Sequence, residues 1–329
     1  MQKEAQNSYQ LAIIGGGAAG LAAGLYAGRY GLKTVLFEGP LPGGQTTTAA
    51  LIENYPGILK VDGAALIQTM RQQAVAAGAT LVTTTITEVE REPDELFKLT
   101  DGQARTSLAK TLIIASGTER RHLGLANEAA LVGKGVSYCA TCDGPLFKNK
   151  SVAIVGGGDA AVKSAIDLAG LVKRLYLIYR EPELQAEAIN LQALQQRPNI
   201  EYLAENQVSE LIGQERLRGV KLAKIPNNWP SNILELDGLF IEIGADPNLE
   251  PYTKLDLSLD SAGRIEVTKA MATSVPGVFA AGDIANGSLD FWQDITAAAG
   301  GATAATAAWH YLNQHAHRCQ HGYSLRKSQ

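Results

Sequence analysis

The sequence is short of several things, and each shortage narrows what the chain can be. Its 329 residues include three cysteines, Cys139, Cys142 and Cys319. That is too few for a disulfide scaffold, so each thiol calls for a chemical reason. No run approaches the roughly 18 apolar residues of a membrane span, and the opening MQKEAQNSYQ is polar, without the apolar core of a signal peptide. The expectation is a cytoplasmic protein with no membrane partner. Positive charge is not in excess either. With 29 Lys and Arg against 33 Asp and Glu the net charge is −4, which speaks against nucleic acid as a partner and leaves an acidic protein to find a local basic patch.

What the chain does have is glycine, 34 residues of it, within a 46% hydrophobic composition. Many tight turns between buried elements are expected, in about two domains for this length. Residues 10 to 16 (QLAIIGG) read as a buried strand, 17 to 30 as an Ala-rich helix and 33 to 38 (KTVLFE) as a second strand. The same order returns at 151 to 179, displaced by 141 residues, with strand SVAIVGG, a helix over 159 to 172 and strand RLYLIY. The segment 275 to 312 lacks a Gly-rich start of its own and is expected to complete the first sheet. The fold class is therefore α/β: two Rossmann-like three-layer nucleotide-binding domains, the second (119–246) inserted into the first (1–118 and 247–314). Segments 81 to 114 and 201 to 243, rich in β-branched residues, predict antiparallel ribbons. The polar, aperiodic HAHRCQHGYSLRKSQ, 315 to 329, predicts a tail.

Gly15, Gly17 and Gly20 form GxGxxG between strand and helix, with Glu38 closing the next strand. Glycines there let backbone approach a pyrophosphate at the helix N-terminus, while an acid at the strand end accepts from ribose hydroxyls. Gly156, Gly158 and Ala161 repeat the pattern. At the counterpart of Glu38, however, stands Tyr179, followed by Arg180 and Glu181. A lone arginine beside a glutamate is a poor clamp for a 2′-phosphate, because the carboxylate repels the group that Arg180 would hold. A second nucleotide site built on Gly156, Gly158, Tyr179 and Arg180 therefore competes with a nucleotide fold kept as scaffold.

CATC, Cys139 to Cys142, is followed by Asp143. Two cysteines at this spacing close a small disulfide. Zinc would need two more ligands from Cys319, His315, His317 or His321, so a redox pair with Asp143 as proton carrier is the expectation, and no metal.

From GGGAAG (15 to 20) through GGQTTT (43 to 48), ENYPG (53 to 57), LIIASG (112 to 117), GVSYCATCDG (135 to 144), GGGDAA (156 to 161) and GVFAAGD (277 to 283) to WQDITAA (292 to 298), the chain resembles the low-molecular-weight thioredoxin reductases. The resemblance implies a flavin-dependent disulfide oxidoreductase with FAD on the first domain. Gly15, Gly17 and Gly20 would hold its pyrophosphate and Glu38 its adenosine ribose. Gly44, Gln45, Thr48 and Asn54 would line the flavin, Asp283 would meet the ribityl chain and Gln293 the pyrimidine end. It further implies that Cys142 faces the flavin, Cys139 attacks the partner disulfide and Asp143 serves as acid/base, in a homodimer whose two domains swivel.

The departures bear on the electron donor. Family members using NADPH carry His-Arg-Arg and a further arginine where this chain has Tyr179, Arg180, Glu181 and Gln185. Lys163 replaces a glutamate near the nicotinamide, and Trp292 an arginine before Gln293. Each lost charge-assisted contact is worth about 1.5–3 kcal/mol, so NADPH is not the expected donor. The resemblance extends to some relatives without this signature that are reduced by ferredoxin, in clostridia and among the deeply rooted cyanobacterial reductases. From about −400 mV for ferredoxin to about −270 mV for thioredoxin the transfer is downhill. Arg120, Arg121, Lys163, Lys173 and Arg174 are candidates for a ferredoxin patch. Other readings are a diflavin disulfide oxidoreductase with a second FAD in the altered site, an oxygen-dependent dithiol oxidase, and a non-catalytic flavin sensor, against which the retained dithiol speaks. Tyr323 in the tail, or Trp292, is expected to cover the flavin.

Overall fold

The computed structural model describes residues 8–49, 51–226, 229–288 and 291–324, with side chains to residue 314. The chain divides into two units, Met1–Glu119 with Pro247–Gln329, and Arg120–Asp246.

Unit 1 opens with β1 (Ser8–Ile14), α1 (Ala18–Arg29) and β2 (Thr34–Glu38), followed by α2 (Gly63–Ala76) and β3 (Thr80–Thr83). Strands β4 (Ile86–Arg91), β5 (Phe97–Asp101) and β6 (Thr106–Ile114) form an antiparallel ribbon. The last half of β6 leaves the ribbon and runs parallel beside β1, giving the order β3-β2-β1-β6-β5-β4. Side chains alternate across this sheet as the pleat requires. Leu11, Ile13, Leu36 and Ile113 face a layer of Ala-rich helices, whereas Ala12, Ile14, Val35, Phe37 and Leu112 face the ribbon residues Val89, Phe97 and Leu99. These are the three layers.

The crossover passes through β7 (Thr118–Arg120) into unit 2, whose first elements are the short α3 (Glu128–Leu131), β8 (Val136–Ser137) and α4 (Ala140–Asp143). The second βαβ follows as β9 (Ser151–Val155), α5 (Asp159–Ala169) and β10 (Arg174–Ile178), then α6 (Ala188–Gln195) and β11 (Ile200–Leu203). An antiparallel ribbon, β12 (Val208–Ile212), β13 (Gly219–Leu222) and β14 (Ile233–Glu235), precedes β15 (Gly238–Ile241), which returns to the parallel sheet in the order β11-β10-β9-β15-β8. Val152, Ile154, Leu175 and Leu177 pack on α5 and α6; Ala153, Val155, Tyr176 and Ile178 pack on the ribbon. Strand β16 (Ala245–Pro247) pairs with β7 at the return crossover. Finally β17 (Val278–Ala280) runs parallel to the end of β6, and α7 (Asp294–Ser324) packs on α1.

Three elements differ from the sequence expectation. The first strand of the 81–114 segment, β3, is parallel to β2 rather than part of the ribbon, and β11 likewise joins β10 in parallel. Both are central-sheet strands whose β-branched composition does not distinguish direction. The backbone helix of α7 continues through the stretch expected as a tail, to Ser324. No proline interrupts it, and residues of middling propensity suffice to propagate a long Ala-rich helix.

Candidate functional site

The first glycine turn is dictated by its neighbours. Gly15 has φ +114°, and a Cβ there would lie 2.1 Å from the Ala115 carbonyl oxygen at the end of β6. Gly17 caps α1 without any side-chain hydrogen bond, so the helix opens on bare backbone suited to an anion. Gly43, in the left-handed region at φ +86°, turns the chain into the 3-10 segment Gly44–Thr48. A Cβ on Gly17 would meet only the Gly43 carbonyl, at 3.8 Å, and one on Gly44 only Gly17 Cα, at 4.0 Å. The two glycine segments thus face each other across a gap that no side chain fills.

That gap belongs to a cleft of about 550 Å³ lined by Gly15, Gly17, Gly44, Gln45, Asp283, Trp292 and Gln293, within the usual range for a cofactor site. Backbone cradle, shape and polar lining fit a dinucleotide flavin. Of the other residues expected here, Gly20 packs against the Gly15 carbonyl, where a Cβ would lie 1.8 Å away. Glu38 ends β2 with its side chain buried, paired to Arg71 at 2.7 Å and accepting from Thr83 Oγ1 at 3.2 Å. Thr48 Oγ1 donates to the Gln45 carbonyl, and Asn54 Nδ2 to Gln293 Oε1 at 3.0 Å. Gln45 is held by Nε2 donation to Thr118.

Several residues here gave no signal in the sequence. Asp294 opens α7 and accepts from Thr46 Oγ1 at 2.6 Å; burial raises its carboxyl pKa above the ordinary value, with the Thr46 bond opposing. Burial also raises that of Asp283, against the opposing charge of Arg264. Arg264 is itself buried, donates from Nη1 to the Asp283 carbonyl and lies 4.0 Å from the centre of the Trp292 ring. Asp294 lines the cleft, whereas Arg71 contacts Glu38 and Arg264 contacts Asp283 and Trp292; all three contacts form only through tertiary packing, although Asp294 lies inside the WQDITAA run.

In unit 2, Cys139 and Cys142 are joined in a disulfide with Cα atoms 5.3 Å apart. Cys139 caps α4, and Cys142 N–H donates to its Sγ at 3.2 Å. Cys139 is half-buried and Cys142 exposed. Ser137, buried at the end of β8, both accepts from Cys139 N–H at 3.0 Å and donates to its carbonyl at 3.2 Å, fixing the backbone on which the dithiol is carried. Just before it, the Tyr138 hydroxyl donates to Glu128, which also accepts from the Leu123 and Leu125 N–H groups. Burial disfavours the charged Glu128, but these donors outweigh it and leave its pKa lowered. Asp143 follows the disulfide, half-buried, its N–H bonded to the Cys139 carbonyl.

The second glycine turn has the same steric logic as the first: Gly156 sits at φ +144°, with a Cβ 2.1 Å from the Glu242 carbonyl. Ala161 is buried in α5. Tyr179 is 8% exposed and belongs to the core between sheet and α5. Arg180 is exposed and forms no ion pair among the described residues, with Glu181 and Glu183 exposed beside it. The Gln185 N–H donates to the Gly157 carbonyl at 2.7 Å, and Asp159 at the start of α5 accepts from Glu187 N–H and Asn190. Of the residues considered for a ferredoxin patch, Arg120 pairs with Glu242, Arg121 with Asp246 and Arg174 with Glu201, at 2.6–2.8 Å, and Lys163 lies 4.0 Å from Glu187. Carboxylates thus answer four of the five. The side chains of Cys319, Tyr323 and the tail histidines lie outside the described residues.

Residues 9–317 match the model of the pyridine nucleotide-disulphide oxidoreductases. The chain is 41% identical over 312 residues to a thioredoxin reductase of Helicobacter pylori, covering 92% of this chain and 99% of that one. Among solved structures it is similar to Lactococcus lactis thioredoxin reductase, at a TM-score of 0.86 and 32% identity, covering 93% and 99% of the two chains. It is also similar to a ferredoxin-flavin thioredoxin reductase of Clostridium acetobutylicum, at 0.51 and 28% with the same coverage. The match spans both glycine turns, the cleft and the CATC disulfide, and the chain belongs to the low-molecular-weight thioredoxin reductase family, enzymes that are FAD-dependent thiol–disulfide oxidoreductases.

Proposed function

We propose that this enzyme is a cytoplasmic homodimer that reduces thioredoxin with electrons from ferredoxin rather than from NADPH. The observation that carries the choice of donor is the end of β10. Tyr179 is committed to the core, and the one cation beside it, Arg180, stands among Glu181, Glu183 and the neutral Gln185. A 2′-phosphate brought there meets more negative than positive charge. The clostridial ferredoxin-flavin enzyme shares the fold, but the Lactococcus enzyme matches this chain better, so the choice of donor rests on this strand end. The closer sequence match is to the Helicobacter enzyme, whose name leaves the donor open. Paired arginines make a weak landing patch, so docking relies on other surface.

In the cleft, bound FAD supplies a carrier that accepts electrons singly and passes them in pairs. Gly15 and Gly17 would present backbone to its pyrophosphate, Glu38 would accept from its ribose, and Gln45, held by Thr118, and Gln293, held by Asn54, would offer polar groups to the ring. Reduction of the Cys139–Cys142 bond takes two electrons and two protons, and Asp143 is the group beside it able to carry a proton. Cys139 then attacks the thioredoxin disulfide, and Cys142 resolves the mixed disulfide, releasing reduced thioredoxin and re-forming the internal bond.

A second FAD in unit 2 is the competing reading, favoured by the intact Gly156–Gly158 turn. Anaerobic titration with NADPH, NADH and reduced ferredoxin, following flavin absorbance, separates them together with flavin stoichiometry after denaturation. Ferredoxin is expected to bleach one flavin per chain. Rapid bleaching by micromolar NADPH would overturn the proposal, and two flavins per chain would favour the second reading.

A further inference from the structure

Glu38 is 1% exposed, and a carboxylate so buried needs a counter-charge and hydrogen bonds. Both come from elements distant in sequence. Arg71, on the second half of α2, places Nη2 2.7 Å from Oε1, and Thr83, the register partner of Glu38 on β3, donates to the same oxygen. Oε2 receives no hydrogen bond from the described residues. A Cβ built on Gly16 would lie 2.9 Å from it, so this second oxygen is the one turned toward the glycine turn. A carboxylate oxygen with free lone pairs accepts from hydroxyl donors. The arrangement is therefore asymmetric, with one oxygen tied to protein and the other left for a ligand.

We propose that Arg71 is a positioning residue for the adenosine half of FAD: it locks Glu38 through Oε1 so that Oε2 meets a ribose hydroxyl, and it thereby sets the preference of the cleft for a flavin dinucleotide over a mononucleotide. This rests on the reading of the cleft as the FAD site. Arg71 is one-third exposed and acts through its ion pair with Glu38.

The test titrates flavin-free protein with FAD and with FMN, which lacks the adenosine, following flavin fluorescence. Wild type is expected to bind FAD far more tightly than FMN. R71L should lose at least tenfold in FAD affinity while its FMN affinity stays unchanged, R71K should recover part of the loss, and R71L should add little to E38Q. A purely structural defect would weaken FAD and FMN alike, and that result, or FAD affinity unchanged in R71L, overturns the role of Arg71. If R71L does not fold, R71K carries the comparison, with an intermediate FAD loss expected and none for FMN. A wild-type protein that prefers FMN would overturn the FAD reading itself, and the role of Arg71 with it.

Discussion

Glu38 and Tyr179 occupy the same position in two βαβ units 141 residues apart, and they do opposite things. Glu38 stays polar at the strand end, tied to Arg71 and Thr83 beside a cleft. Tyr179 turns into the helix-side core, against the backbone of Gly157, with 8% exposure. The glycine turns above them, by contrast, are almost interchangeable, since both place a would-be Cβ 2.1 Å from the carbonyl of a neighbouring strand. Gly15 and Gly156 are thus required by the close approach of a neighbouring carbonyl in both units, whatever binds. The informative residue is the one at the strand end, which is acidic in one unit and aromatic in the other.

If unit 2 has kept the fold while shifting its work to the dithiol, the largest effect comes from breaking that dithiol. C139S and C142S should each lower thioredoxin reduction by about 10³-fold or more, with flavin content unchanged, because the disulfide lies in unit 2 and the cleft in unit 1. Loss of flavin together with activity would mean that the two units are not separable in this way.

A gain of function probes the comparison from the other side. E181R/Q185R converts the surroundings of Arg180 into a cationic cluster and leaves the core residue Tyr179 in place. Two added charge-assisted contacts at about 1.5 kcal/mol each predict NADPH binding tighter by about 10²-fold, read as flavin reduction at lower NADPH concentration. A well-folded variant showing no gain would place the obstacle to NADPH elsewhere in unit 2, with Lys163 the next residue to change.

Much of this was legible in the sequence because it is local. Strand, glycine turn and helix are consecutive, so β1–α1–β2 and β9–α5–β10 follow from periodicity and spacing. So does CATC, where two thiols three residues apart need no tertiary information to meet. What could not be read depends on which strands become neighbours. Arg71 and Thr83 reach Glu38 only because α2 packs on the sheet and β3 lies beside β2 in register. Arg264, Trp292 and Asp283 come together from three segments that follow the insertion. The direction of β3 and β11 was misread for the same reason, since residue type reports burial more than pairing partner.

The two ribbons offer the smallest test of how differently the units are secured. In unit 1 the β5–β6 turn is knotted by Asp101. Its carboxylate accepts from Arg105 Nε and Nη2 at 2.8 and 2.7 Å, from the Gln103 and Arg105 N–H groups and from Thr84 Oγ1. The β12–β13 turn of unit 2 relies instead on Gly213 at φ +135°, where a Cβ would lie 2.1 Å from the Arg216 carbonyl. The Arg105 bond, with the backbone donors and Thr84, depresses the Asp101 pKa from 3.8 to about 2. A pKa lowered on folding means that the native state binds the proton less readily than the unfolded chain, so the carboxylate stabilises the fold above its ordinary pKa and loses that effect as pH falls through the depressed one. Arg105 is largely exposed and solvent screens the pair, so the effect is modest. D101N should therefore melt slightly below wild type at neutral pH, and the gap should close on acidification from 3.8 to about 2. A gap that persists unchanged at the acid end would assign the loss to turn geometry, making the two ribbons alike after all.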